Sequence, residues 1–399
     1  MAVDANFASR TIWTGDNLPV LRGTNSGCID LIYLDPPFNS KANYAAPIGS
    51  VAAGAAFKDT WTLSDVEVEW INLIETKHPA LHRVILAAMA NSDKAYLAYM
   101  AVRLLEMHRV LKPAGSMYLH CDPTMSHYLK LVMDSIFGRR NFRNEIAWCY
   151  TGPGSPKMRQ FNRKHDIILW YSRGDKWTFN ADAVRIPHKA LNTNRKGAAI
   201  ADPLTHAARA TYLAKGKVPE SWWPEFSPVG RLKRERTGYP TQKPLALVRR
   251  IIAASSNPDE IVLDPFCGCA TACVAAEFEQ RQWIGIDISP KAADLVRQRM
   301  AHEAGLLDRH LHRTDIPRRT DLGKLLPPRT HANTLYGLQA GNCAGCGHHF
   351  EFRNLEVDHI IAKKVGGTDH MENLQLLCGN CNRIKGDRGM GYLRAKLQL

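Results

Sequence analysis

The chain has 399 residues, enough for two or three domains with cores of their own. Lysine and arginine number 52 against 38 aspartate and glutamate, a formal charge of +14 with a sequence pI near 9.3. Such an excess favours a polyanionic partner, nucleic acid before membrane, because neither an amphipathic anchor nor a long apolar span accompanies it.

Met1 to Asn6 carry no basic and apolar leader, which speaks against secretion and for the cytoplasm. Thr11-Ile12-Trp13-Thr14-Gly15-Asp16-Asn17 reads as a short strand ending in Gly-Asp. Next, the apolar run Leu31-Ile32-Tyr33-Leu34 stops at Asp35-Pro36-Pro37-Phe38. The run predicts a buried strand, and the two prolines forbid its continuation, so a fixed loop follows at its C-terminal edge. In open α/β sheets that edge is where ligands bind. The loop offers the Asp35 carboxylate, the Pro36 carbonyl and the Phe38 ring. That set suits an amino group on a nucleobase, with two acceptors for its protons and a ring to stack on the base. Taken alone, the same four residues also fit an ordinary strand-ending turn.

The stretch resembles the amino-group DNA methyltransferases, whose signature here is Asp-Pro-Pro-aromatic. The resemblance implies methyl transfer from S-adenosylmethionine to an exocyclic amine of double-stranded DNA, with Asp35, Pro36, Pro37 and Phe38 as the catalytic loop. It also implies that Asp16 contacts the adenine of the cofactor.

The small and polar residues from Asn39 to Ala56 predict a mobile loop over this site. Asp59-Thr60-Trp61 opens a long stretch of helical spacing that runs through Tyr99, Val102, Leu105 and Val110, until Pro113 and Gly115 end it. Ser116 to His120 reads as the next strand, Leu129 to Phe137 as an amphipathic helix and Glu145 to Trp148 as another strand. Gly152 to Lys157, with Arg159, Arg163 and Lys164, precedes a clear strand from Asp166 to Tyr171. From about Phe179 to Gly238 the chain is irregular, with Trp222-Trp223-Pro224 and a basic run from Arg231 to Arg236. The resembling enzymes carry their target-recognition region at this place. Arginine and lysine suit phosphate and guanine contacts, and aromatics suit wedging or stacking. A solvated basic loop has the same composition.

Tyr239-Pro240-Thr241-Gln242-Lys243-Pro244 starts a helix with Leu247, Ile251 and Ile252 on its apolar face. The block matches the family's Pro-Thr-Gln-Lys-Pro, which implies Thr241, Gln242 and Lys243 at the methionine end of the cofactor. Ile261 to Asp264, the turn Pro265-Phe266-Cys267-Gly268-Cys269-Ala270 and the helix after it form a strand, small-residue turn and helix, which lets a cofactor approach backbone amides at a helix start. Asp264, Phe266 and Gly268 are the candidate contacts. The family's usual Gly-Ser-Gly-Thr is here Gly268-Cys269-Ala270-Thr271, which sets an extra methyl at Ala270. Trp283-Ile284-Gly285-Ile286 ends at Asp287, a carboxylate placed to take both ribose hydroxyls. No P-loop Lys-Ser/Thr follows, which excludes a nucleotide hydrolase of that class.

The catalytic loop comes first, the recognition segment second and the cofactor turn last. This order resembles the β-type permutation of the family over roughly residues 10 to 302. The expected fold is therefore α/β, a Rossmann-like S-adenosylmethionine-dependent methyltransferase sheet with a target-recognition insert at 179–238, the whole domain spanning 1–302. The resemblance also implies that aspartate rather than serine at position 35 points to adenine, with the cytosine amine as the alternative.

Residues 303–334, with Arg318-Arg319 and Pro327-Pro328, read as a basic linker. In 335–399, Cys343-Ala344-Gly345-Cys346 and Cys378-Gly379-Asn380-Cys381 are two Cys-x-x-Cys knuckles. With the other six cysteines scattered, they predict one structural zinc site in a reduced chain. Between and after them, Glu356-Val357-Asp358-His359-Ile360-Ile361, Gly366-Gly367-Thr368, Glu372-Asn373-Leu374 and Asn382-Arg383-Ile384-Lys385 resemble the HNH nucleases. The resemblance implies a small zinc-stapled ββα-metal domain. In it His359 is the general base, Asp358 and Asn382 hold magnesium or another divalent metal, and Asn373 orients the histidine loop. A zinc module that only binds DNA is the competing reading of the tail. RNA or a protein glutamine is a weaker alternative for the acceptor, and the sequence leaves a homodimer open.

Overall fold

The computed structural model describes residues 4–40, 42–47, 50–53, 56–61, 71, 74–75, 77–152, 159–188, 214–232, 235–303, 310–321, 327–365 and 367–398. Pro153 to Lys157, Lys233, Arg234 and Gly366, and the recognition segment from 189 to 213, lie outside the described residues.

The chain opens with β1 (Thr11–Thr14), α1 (Asn17–Gly23) and β2 (Ile29–Leu34). It continues through β3 (Ala42–Ala45), β4 (Ala56–Asp59), α2 (Pro79–Leu86), α3 (Asn91–Val110), β5 (Leu111–Cys121) and α4 (Ser126–Phe137). Then come β6 (Phe142–Cys149), β7 (His165–Ser172), β8 (Trp222–Trp223), α5 (Leu245–Ser255), β9 (Ile261–Asp264), α6 (Thr271–Phe278), β10 (Gln282–Asp287), α7 (Lys291–Glu303) and β11 (Leu311–Arg313). Nine strands form one sheet in the order β11-β1-β10-β9-β2-β5-β7-β6-β8. Pairing is parallel from β11 to β5, and β7 runs antiparallel to both of its neighbours.

All six residues of β2 are buried, as a central parallel strand covered on both faces requires. Its pleat sends Ile32 and Leu34 into the core shared with α1 to α4, and Leu31 and Tyr33 into the core shared with α5 to α7. From the neighbours β9 and β2 the strand order proceeds in opposite directions. Their carboxyl ends therefore flank the crevice where doubly wound sheets bind ligands.

Three expectations need correction. The stretch after Phe38 is not a free loop: Ala42–Ala45 pairs antiparallel with Ala56–Asp59. Ladder bonds come from the backbone, so small side chains hide such a hairpin, and Asp59 closes its base by accepting from the amides of Asn39 and Ser40 at 2.6 and 2.9 Å. The long helical stretch is divided. Asp59 ends a strand, and α2 and α3 are separate helices, the second beginning at Asn91-Ser92-Asp93, residues that favour helix starts. The segment read as linker contains β11, which pairs with β1. Beyond it, the Arg318 carbonyl accepts from Asn6, Thr320 bonds Asn25, and Asp321 accepts from the Ser26 amide.

The tail forms α8 (Ala332–Leu338), the antiparallel pair β12 (Leu355–His359) and β13 (Leu374–Cys378), α9 (Gly379–Lys385) and α10 (Met390–Leu397). Its small core contains Leu377, Met390 and Leu393 with three of the paired cysteines. Among the described residues no helix is long and apolar enough to cross a membrane.

Candidate active site and zinc centre

A cavity of about 620 Å³ opens at the carboxyl ends of β2 and β9. The sequence expectations meet here. Asp35, Pro36, Pro37 and Phe38 line it on one side, and Asp16, Asp264, Phe266, Gly268 and Asp287 line it with Thr241, Gln242 and Lys243.

The turn after β9 follows from its residues. Gly268 has φ +49°, and a Cβ there would lie 2.9 Å from the Tyr239 ring, so only glycine keeps ring and backbone in place. Its amide donates to Asp287 Oδ2 at 2.8 Å, and the Ser289 amide donates to Asp287 Oδ1 at 2.8 Å. Burial still pushes the Asp287 carboxyl up. Asp264 accepts from the Phe266 amide at 3.1 Å, but burial, with the charges of Asp35 and Asp287, holds it well above the usual carboxylate range. Ala270 is buried in the left-handed region, φ 60°, within the core below and not on the cavity wall. Its extra methyl thus burdens the backbone rather than the cofactor space.

Sequence reading missed what holds Asp16. Asp16 caps α1, accepting from the Leu18 amide at 2.8 Å. Arg103 of α3, fully buried, donates to both Asp16 oxygens at 2.8 Å and to Asn17 Oδ1 at 2.7 Å. Asn17 Nδ2 in turn donates to the Pro265 carbonyl at 2.7 Å, joining the loop after β1 to the turn after β9. An arginine on a helical face carries no signal that its partner lies far back in sequence.

The catalytic loop is also held from a distance. The ammonium of Lys243, expected at the methionine end of the cofactor, bonds both Asp35 oxygens at 2.8 and 2.7 Å. It also donates to the Thr241 carbonyl and lies 4.9 Å from the centre of the Phe38 ring. Thr241 adopts φ 62°, and Gln242 fixes the preceding loop by accepting from Thr237 and donating to the Glu235 carbonyl. Phe38 stacks on the buried His120 ring, centroids 6.0 Å apart. His120 bonds Tyr33 through Nδ1 and Asp166 through Nε2, each at 3.0 Å, and Tyr150 donates to the other Asp166 oxygen at 3.0 Å. Burial pushes the Asp166 carboxyl up, but His120, Lys243 and Tyr150 outweigh it and hold it below the usual range.

The residues fit S-adenosylmethionine. Four carboxylates, Asp16, Asp35, Asp264 and Asp287, line the cavity; Lys243 on its wall engages Asp35, and Arg103 engages Asp16 from the core. Asp264 and Asp287, held by backbone amides at a glycine turn, suit hydroxyl donors and a cationic ligand.

In the tail the sulfurs of Cys343, Cys346, Cys378 and Cys381 lie within 4.8 Å of one another, the sole such ligand cluster among the described residues. The amides of Gly345 and Cys378 donate to Cys343 Sγ at 3.4 and 3.2 Å, as suits a thiolate. Four convergent thiols are the donor set of structural zinc. At the nuclease-like face, Asn373 accepts from the Ile361 amide at 2.9 Å and donates to the Ile361 and Thr368 carbonyls, bracing the loop after His359. His359 Nε2 meets Asp369 Oδ1 at 2.7 Å, a partner that sequence reading did not find. Asp358 Oδ2 receives Lys385 and Gln375, each at 3.0 Å, and Asn382 Nδ2 donates to Glu356 at 2.6 Å. Asp358 keeps its other carboxylate oxygen and Asn382 its amide oxygen for a metal, hard donors of the type magnesium takes.

Comparison with known proteins gives the family of each part of the chain. Residues 29–298 match the N6/N4 DNA methylase family model, and residues 343–388 match the HNH endonuclease model. The type II methyltransferase M.HpaI of Haemophilus parainfluenzae is 29% identical over 287 residues, covering 72% of each chain. The DNA adenine methyltransferase YhdJ of Escherichia coli K12 is 30% identical over 287 residues, covering 70% of this chain and 79% of its own. Among solved structures, the M1.HpyAVI complex with S-adenosylmethionine aligns with 72% of this chain and 98% of its own, at TM-score 0.40 and 20% identity. The chain belongs to the N6/N4 DNA methylase family, as an S-adenosylmethionine-dependent amino-methyltransferase of DNA that carries a C-terminal HNH endonuclease domain.

Proposed function

We propose that the chain methylates the exocyclic amine of adenine in duplex DNA and that its tail cuts the same sequence when it is unmodified, a modification and restriction enzyme on one polypeptide. The observation that carries the first half is that Asp35 and Phe38 line the same cavity as Gly268 and Asp287. Aspartate at position 35 and a relative named a DNA adenine methyltransferase support adenine over cytosine.

S-adenosylmethionine, when bound, supplies an electrophilic methyl on a cationic sulfur; Asp16, Asp264, Phe266, Gly268, Asp287 and the Thr241–Lys243 block are the residues that would hold it. Phe38 stacks on the extruded base, its plane fixed by His120. The amine of adenine is a poor nucleophile because its lone pair is delocalised into the ring. Asp35 and the Pro36 carbonyl accept hydrogen bonds from its two N–H groups and favour the pyramidal form with a localised pair, an interaction that strengthens toward the transition state. Lys243 fixes the Asp35 carboxylate in orientation while the base arrives.

In the tail, His359 is the base that activates water, and Asp358 and Asn382 offer oxygens to a divalent metal. A second reading, a tail that binds DNA without cutting, is favoured by Asp369 on His359 Nε2 and Lys385 on Asp358. Sequencing of modified bases in DNA from cells expressing the chain tests the first half, with N6-methyladenine at one sequence expected. Digestion of that sequence, methylated or not, by the Asp35→Ala protein with magnesium tests the second. Cutting of only the unmodified plasmid is expected. Equal cutting of both refutes self-protection, and no cutting of either refutes the nuclease.

A further inference from the structure

The connection from β6 to β7 ends in Arg159 to Lys164, where Phe161 is 97% exposed. The next most exposed phenylalanine or tryptophan among the described residues is Trp222, at 49%. An isolated apolar side chain on a surface is ordinary; the placement of this one is not. Arg159 and Arg163 flank the ring, both exposed, so the segment offers phosphate contacts on either side of it.

The segment also stands on the catalytic edge. Leu34, which precedes Asp35, pairs with Leu119, and β5 then reaches Cys121, opposite Ile167 of β7. The start of β7, and the loop that leads into it, therefore rise from the same sheet edge as Asp35. The root of the loop is wired to the catalytic ring. The Lys164 carbonyl accepts from the Tyr150 amide at 2.9 Å, and the Tyr150 hydroxyl bonds Asp166. Asp166 bonds His120, on which Phe38 stacks. From the recognition segment, Arg231 donates to both Thr151 oxygens at 3.0 and 2.9 Å, so that segment docks on the other side of the same loop.

We propose that Phe161 is a wedge that enters duplex DNA at the target base and fills the gap left when that base swings toward Asp35 and Phe38. The proposal rests on the reading that the chain methylates an amine in duplex DNA. A paired base cannot reach the cavity from within the stack, and extruding it costs the stacking and pairing that held it. A phenyl ring inserted beside it restores stacking to the neighbours, as apolar wedges do elsewhere. The ring contributes nothing to the protein's own core, since it is exposed.

The test compares two duplexes of the sequence found by modified-base sequencing, one fully paired and one with an abasic site opposite the target base. Without a pairing partner the target base needs no prying. Phe161→Ala is expected to lower kcat/KM on the paired duplex by about tenfold to a hundredfold, the range of one lost base–aromatic stack. On the abasic-faced duplex it should stay close to wild type, and Phe161→Trp should retain most activity on both. Thermal melting of the Ala variant should be unchanged. Equal losses on both duplexes, or no loss on either, overturn the wedge. No transfer by the wild-type protein on either duplex would overturn the methyltransferase reading and the wedge with it.

Discussion

Separating Asp35 from Lys243 should do more than remove a catalytic group. Asp35→Asn deletes the charge that faces the amine, but it also strands the Lys243 ammonium, whose side chain is only 6% exposed. Two contacts of 2.7 and 2.8 Å at an effective dielectric of about 20 correspond to roughly 6 kcal/mol of gross attraction. Desolvation offsets part of this, and removing one partner of such a buried pair costs about 3 to 5 kcal/mol. The lower end applies, since Asp35 is 18% exposed on an open cavity. The stranded ammonium would also stand in a cavity built for a cationic cofactor. Asp35→Asn is therefore expected to lose methyl transfer, stability and affinity for S-adenosylmethionine together. The double variant Asp35→Asn/Lys243→Met should recover stability toward wild type while transfer stays lost. Urea denaturation, calorimetry with S-adenosylmethionine and transfer of a labelled methyl group read the three quantities. If the stability losses simply add in the double variant, the pair is not coupled. If an Asp35 variant transfers at the wild-type rate, the carboxylate has no part in the chemistry.

The raised Asp264 and Asp287 carboxyls give the cavity a pH response. Between the unfolded and the raised folded pKa the native state keeps a proton that the unfolded chain loses, so stability without cofactor falls as pH rises through that window. A cationic ligand favours the ionised carboxylate, so affinity for S-adenosylmethionine should rise with pH as these raised carboxyls ionise, and Asp264→Asn should flatten the rise in a calorimetric titration. Gly268→Ala, whose methyl would meet the Tyr239 ring and whose φ is positive, should weaken cofactor binding while the HNH tail keeps its zinc, as read by calorimetry beside metal analysis. Serine at Cys343, Cys346, Cys378 or Cys381 should lower zinc content and loosen the tail with methyl transfer spared; zinc-free wild-type protein would refute the staple.

The parts of this site that the sequence made legible are those encoded by neighbours. Asp35 to Phe38, the turn from Asp264 to Thr271 and the two Cys-x-x-Cys knuckles each state their chemistry within a few positions, because prolines, glycines and cysteines restrict what the backbone or a metal can do. Side chains that find distant partners were not legible. Arg103 reads as one more helical arginine until the fold brings Asp16 to it, and Lys243 reads as part of a cofactor block until β2 and the start of α5 meet. The hairpin of β3 and β4 escaped because its small residues look like a loop. Edge strand β11 escaped because Leu-His-Arg in a prolyl, basic stretch has no alternation long enough to register.

That edge strand decides where the polypeptide can be cut. A truncation at residue 302, where the family resemblance ends, would strip β11 from β1 and leave a bare row of donors and acceptors, an invitation to self-association. It would also remove the strap beyond the strand. The Pro317 carbonyl lies so close to Gly23 that no Cβ fits between them. Arg319 pairs with Asp321, whose carboxyl burial raises but Arg319 and Ser26 together draw well below the usual range. Attempts to separate the two enzymatic halves should therefore keep everything through Asp321 with the first half. A fragment carrying the HNH domain then begins after that residue, well beyond the point where the basic stretch starts.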